Sequence, residues 1–175
     1  MKLTEIKKPI LYGFPNPRPL HTWLYYLDLN RLHIHKSLSV LNVRNFVTHH
    51  TTYQLDDVTY GMKEYWLQNA EDMMGFLELR KDDCDAMAQL SASICYSLGF
   101  NKVRLALGYC GEDADWQSMN HAYALYPQDD DYLLLECTGD DIIAELPLLS
   151  DCPKYHTLIS ADVFGDYQLH GRWAK

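Results

Sequence analysis

Between Asp83 and Leu98, Cys84, Met87, Ala88, Ser91, Ile94, Cys95 and Leu98 recur at the i, i+3, i+4, i+7 spacing of a helix with one buried face. Asp82 or Asp83 supplies a side chain able to cap its first turn, and Gly99 supplies a stop. A helix so patterned must be covered on its apolar side by other elements. It also opens on a cysteine, inside Asp82-Asp83-Cys84-Asp85.

The segments that follow read as strands. Val103, Leu105 and Leu107 alternate within 102–109, and a hairpin is expected from 120–126, a turn at 127–130 and a strand at 131–138. A weaker strand signal covers 155–159. Residues 110–118 form an acidic loop carrying Trp116. Upstream, Pro15, Pro17 and Pro19 each lack an amide donor, so 1–19 is expected to be an irregular arm. Trp23, Leu24, Leu27 and Leu29 suggest a short helix near 20–30, and Leu32 to His35 alternates like a strand. Residues 40–47 fit a short helix or a strand, and 64–79 short helical pieces weakened by Gly75. One domain over 1–175 is expected, with an arm and helix in 1–40 and a core in 65–138.

Bulk properties exclude several functions. Asp and Glu outnumber Lys and Arg by 24 to 15, a formal charge of −9 that disfavours nonspecific nucleic-acid binding. The charged start from Met1 to Lys8 lacks the apolar core of a signal peptide, and no apolar run nears the roughly 20 residues that span a bilayer. A soluble, cytoplasmic protein without membrane or nucleic-acid partners is the expectation. Five cysteines with no Cys-x-x-Cys pair indicate neither a disulfide framework nor a zinc ribbon.

A thiol at a helix start, His121 in Asn120-His121-Ala122 and Glu136 ending Leu133-Leu134-Leu135-Glu136 are the parts of a nucleophilic triad. Unpaired N–H groups and the positive dipole end at a helix N-terminus stabilise a thiolate. His121 would take the thiol proton and later deliver it, Glu136 would orient the imidazole, and the Cys84 N–H would face the oxyanion. Pairing Tyr126 with Asp131 across a four-residue loop sets His121 opposite Glu136. A slip of one residue would turn the acid to the other face. Asp82, Asp83 and Asp85 are screened if they point to solvent, but raise the thiol pKa if they point inward.

With these residues laid out, the chain resembles the transglutaminase-like cysteine protease superfamily, a branch of the papain-like fold. The resemblance runs from Tyr65-Trp66 through Asp83-Cys84-Asp85, Leu98-Gly99, the strand Val103 to Tyr109 and Asn120-His121-Ala122, to Glu136-Cys137-Thr138. Asp82 stands where the family has Gly, Ala86 where it has a second acid, and Glu136 where it more often has Asp. The resemblance implies an α+β fold in which the cysteine helix packs on an antiparallel sheet bearing the histidine and acid. It implies Cys84 as nucleophile, His121 as base and Glu136 as third member, acting on a protein or peptide amide without a cofactor. Hydrolysis, transamidation and deamidation share the thioester intermediate, hydrolysis being the first choice. Small members of this kind are similar to phage and prokaryotic proteins. The rival is a noncatalytic binding or virion-associated module on the same scaffold.

Tyr65 and Trp66 are candidates to line the cleft, to donate to the oxyanion or to pack under the helix, and Trp116 to cover the site. His33, His35, His49 and His50 do not complete a metal-ligand pattern, and Asp129 to Asp131 lack the Gly and distal Glu of a calcium loop. No metal site is expected.

Overall fold

The computed structural model describes residues 27, 29, 34–63, 70–111, 120–162 and 166–170. Helix α4 spans Cys84–Ser97. The Asp83 side chain accepts from the Asp85 N–H to cap it, and Gly99 leaves it with φ +95°, a conformation that suits glycine. Met87, Leu90, Ile94 and Cys95 on this helix are fully buried. Each large apolar side chain so placed contributes about 1.5–3 kcal/mol, so α4 anchors the core.

A five-stranded antiparallel sheet packs on α4. Its strands are β3 (Arg104–Cys110), β4 (His121–Gln128), β5 (Asp131–Leu135), β6 (Tyr155–Ala161) and β7 (Tyr167–Leu169), in the order β5-β4-β3-β6-β7. Leu105, Leu107, Ala122, Ala124 and Ile159 share a core with α4. Ala106, Tyr123, Leu125 and Leu134 form a second cluster, against which Tyr132, Leu149 and Tyr155 pack. The alternation of side chains along each strand divides the two sets.

Helix α1 (Val40–His50) settles the open choice for 40–47. Ser39 and Asn42 close a reciprocal cap at its start. Helix α3 (Ala70–Leu79) runs unbroken through Gly75, and the short α2 covers Asp56–Thr59. Two-residue strands β1 (Thr52–Tyr53) and β2 (Lys81–Asp82) pair in parallel, Tyr53 with Asp82, directly before the cysteine. Sequence reading found neither of these, nor β7, because runs so short carry no periodicity. Ile34 and His35 are not in a strand, while the rest of 31–33 and most of the helix expected near 20–30 lie outside the described residues, as do 1–19.

The hairpin register differs from expectation by two residues. Gln128 pairs with Asp131, and Tyr126 with Leu133, around the tight turn Asp129-Asp130. Asp129 takes φ 51°, a left-handed conformation that Asp tolerates better than most residues. Pro127 belongs to the strand, not the turn. It is tolerated there because β3 pairs with β4 only as far as Leu125, so no partner on that side needs its missing N–H. A shift of two preserves side-chain faces. No helix among the described residues is long and apolar enough to cross a membrane.

Candidate active site

His121 is the first residue of β4 and pairs with Gly108 of β3. The Asn120 side chain holds this strand end in place. Its Oδ1 accepts from the Cys110 N–H at 2.8 Å and its Nδ2 donates to the Cys110 carbonyl at 3.3 Å. On the other side of β3 a register shift falls between Leu107 and Gly108. A side chain at Gly108 would collide with the His156 carbonyl, so glycine is required by close approach of two backbones.

The imidazole Nε2 lies 2.6 Å from Glu136 Oε2. The pairing expected between these residues is therefore present, as a diagonal contact one rung away from the anticipated one. Glu136 Oε1 accepts from the Thr138 N–H at 2.8 Å and from the Thr138 hydroxyl at 2.7 Å. Burial pushes Glu136 up, but the hydrogen bonds from His121 and Thr138 outweigh it and hold the acid below its ordinary range. Arg44 of α1 fixes the backbone beneath it, donating from Nε to the Glu136 carbonyl at 2.6 Å and from Nη1 to the Asp141 carbonyl.

Tyr155 completes this arrangement. Its ring lies 5.9 Å from the His121 ring and meets Tyr123 edge-on at 5.5 Å. Its hydroxyl lies toward the Glu136 carboxylate and the Cys110 sulfur. Burial and these neighbours hold the phenol above its usual range.

Cys84, half-buried, packs against the α4-side core. Burial pushes the thiol well above its ordinary range, and Asp83, Asp85 and Glu136 add to the rise, while a backbone hydrogen bond from Ala122 opposes it. The expected acid-lowering effect of the helix start is thus overridden. The flanking acids point inward: Asp82, Asp83 and Asp85 are at most 7 % exposed. The sulfur meets β4 at Ala122, one residue from His121, and the imidazole packs on the Tyr123 and Tyr155 side of the strand. Among the described residues no hydrogen bond links sulfur and imidazole. With Nε2 engaged by Glu136, Nδ1 is the ring nitrogen left for a thiol.

The N–H groups at the head of α4 are occupied one by one. Asp83 N–H donates to Asp82 Oδ1 at 2.9 Å, Asp85 N–H to Asp83 Oδ1 at 3.2 Å, and Ala86 N–H to Asp85 Oδ1 at 2.7 Å. The Cys84 N–H has no acceptor among the described residues.

Asp56, Asp82, Asp83 and Asp85 are all buried, and one carboxylate oxygen from each lies within 4.8 Å of the others. Asp85 Oδ2 has no hydrogen-bond partner among the described residues, and burial with the neighbouring carboxylates pushes this acid well above its ordinary range. Oxygen ligands held 2.3–2.6 Å from Ca²⁺ lie at most about 5 Å apart, so the four donors fit a hard cation. Sequence reading assigned no metal ligand. Asp56 joins the other three only through the folding of β1 and α2 onto β2, which no local spacing announces. Tyr53 was also missed. Its phenol is pushed up to about 12 by burial, with Cys84, Asp83, Asp56 and Glu136 within electrostatic reach. Tyr65, Trp66 and Trp116 lie outside the described residues.

No protein-family model matches the sequence, and no curated protein matches it. Solved structures do. Calcium-bound LapG of Legionella pneumophila is similar at a TM-score of 0.56 and 16% identity, over 74% of this chain and 66% of that one. A second LapG structure gives 0.53 and 16%, over 73% and 65%, and EGTA-treated LapG 0.53 and 16%, over 73% and 63%. The chain spans about 65% of the length of LapG. The fold here, an antiparallel sheet packed on a helix that carries Cys84, is the papain-like, transglutaminase-like fold of these neighbours.

Proposed function

We propose that this protein cleaves an amide bond in a protein or peptide through a thioester on Cys84. The observation that carries this reading is the Nε2–Oε2 hydrogen bond of His121 and Glu136, formed beside a helix that starts on a cysteine. His121 Nδ1 takes the thiol proton, the sulfur adds to the carbonyl carbon, and the imidazolium returns the proton to the departing amine. Glu136 holds the ring and stabilises its charged form. Water then resolves the thioester with the same base.

The acidic cluster belongs to the same reading. Four buried carboxylates repel one another and need protons or a cation to offset the repulsion. We propose that Asp56, Asp82, Asp83 and Asp85 hold a divalent cation, in keeping with the calcium-bound form of the structural neighbour. Such an ion would supply positive charge next to the nucleophile.

A noncatalytic binding module is the competing reading, favoured by the raised thiol. Casein and a tryptic peptide mixture, incubated with wild type, Cys84→Ala and Glu136→Gln in Ca²⁺ and in EDTA, separate the two by mass spectrometry. New termini made by wild type and absent with Cys84→Ala are expected. Intact substrates in every arm, with no acyl adduct on Cys84, would favour the module.

A further inference from the structure

We infer that the Tyr53 hydroxyl and the Cys84 backbone N–H together receive the substrate carbonyl oxygen as the sulfur adds. The inference rests on Cys84 being the acyl nucleophile. Its ground is two donors left over on neighbouring segments, since Tyr53 pairs with Asp82 and the cysteine follows two residues later. Every neighbouring N–H at the head of α4 is taken by a carboxylate from the same turn or the residue before it, and that of Cys84 has no acceptor among the described residues. Tyr53 likewise makes no hydrogen bond through its hydroxyl among the described residues.

The backbone fixes where this phenol stands. Tyr53 pairs with Asp82, two residues before the cysteine, and the ladder is continued by Thr52 N–H to the Arg80 carbonyl at 2.7 Å and Gln54 N–H to the Asp82 carbonyl at 2.8 Å. The pairing ties β1 to the segment that delivers the nucleophile. Tyr53 remains 43% exposed, so one side of the ring is open to an incoming chain. Cys84 on α4 and Glu136 beyond β5 are among the groups whose charge acts on its phenol.

The chemistry balances without a further reagent. The S–C bond forms while the carbonyl π pair moves onto oxygen, and the two donors bind that oxygen by hydrogen bonds without giving up their protons. The pair returns as the C–N bond breaks, and the amine leaves with the proton carried by His121. The surrounding acids would repel an oxyanion, so donors aimed at it matter more here than in a neutral site. Removing one such donor typically lowers kcat about 10²- to 10³-fold.

The test uses p-nitrophenyl acetate and iodoacetamide on wild type and Tyr53→Phe in Ca²⁺-containing buffer. Wild type should acylate at Cys84 with a burst of p-nitrophenolate, and Tyr53→Phe should acylate at least tenfold more slowly. Alkylation of Cys84 by iodoacetamide should stay within about twofold, because displacement at a saturated carbon builds no oxyanion. Equal acylation rates, or parallel losses in acylation and alkylation, would overturn the role of Tyr53. Absence of acylation on Cys84 in wild type would instead overturn the acyl-transfer reading beneath it.

Discussion

Glu136 Oε2 lies 2.6 Å from His121 Nε2, while Glu136 Oε1 is claimed twice by Thr138. Both oxygens are thereby fixed, so the ring is held in one tautomer, with a proton on Nε2 and a lone pair on Nδ1. Glu136→Gln keeps the shape but removes the charge that stabilises an imidazolium. We expect kcat/KM for casein cleavage to fall roughly 10²- to 10⁴-fold. A loss under threefold would count against an orienting acid.

Tyr155 acts on this pair from outside. Tyr155→Phe removes a hydroxyl that lies toward Glu136 and leaves the ring beside His121. A hydrogen bond to a charged group is worth about 1.5–3 kcal/mol, so a roughly 10- to 150-fold fall in kcat with KM nearly constant is expected. The pH–rate profile is the specific readout. Loss of a bond that favours the carboxylate should move the acid limb upward, which a purely structural role would not do.

The acid cluster makes a thermodynamic prediction. A ligand that binds only the folded state, present at 100 times its Kd, adds about 2.7 kcal/mol. For a chain of this length each kcal/mol corresponds to about 2–4 °C. Calcium should therefore raise the melting temperature by roughly 5–10 °C, EDTA should reverse the rise, and Asp85→Asn should abolish it. If Asp85→Asn responds to calcium like wild type, the ion is bound elsewhere.

Acid sensitivity has a separate origin at the far edge of the sheet. Burial, with Arg104 nearby, lowers His170 to about 4, and its Nε2 bonds Ser160 Oγ at 2.9 Å. Unfolded, it titrates near about 6.5. Between those values the unfolded chain binds the extra proton and the folded one does not. Stability is thus full above about 6.5 and declines as pH falls toward 4. Glu136, also lowered, adds a loss in the same direction at still lower pH. Melting temperatures measured from pH 8 to 4 should fall across this window, and His170→Gln should flatten the curve. An unaltered slope in that variant would exclude His170 as the source.

What the sequence disclosed follows physical range. The α4 helix was legible because its signals are local: a cap at Asp83, a stop at Gly99 and a 3.6-residue rhythm between them. The His121–Glu136 contact was legible despite a misplaced turn, since an error of two residues leaves both side chains on one face. The turn itself was misread because Asp129-Asp130 contains no glycine to advertise a left-handed residue. Tyr53, Asp56, Arg44 and Tyr155 reach the site from elements far away in the chain, and no spacing rule connects them with Cys84. The inward direction of Asp83 and Asp85 depends on how β1 and α2 close over β2, which is likewise nonlocal.

The two-residue turn between β4 and β5 has a consequence for how such a chain can drift. A residue added within the loop can leave every pair of the ladder as it is, but one taken up by the ladder would swing every side chain of β5 through the sheet and detach the carboxylate from the ring. Relatives that keep the chemistry should therefore carry odd insertions in the loop or at a bulge, and never as a slip of the pairing.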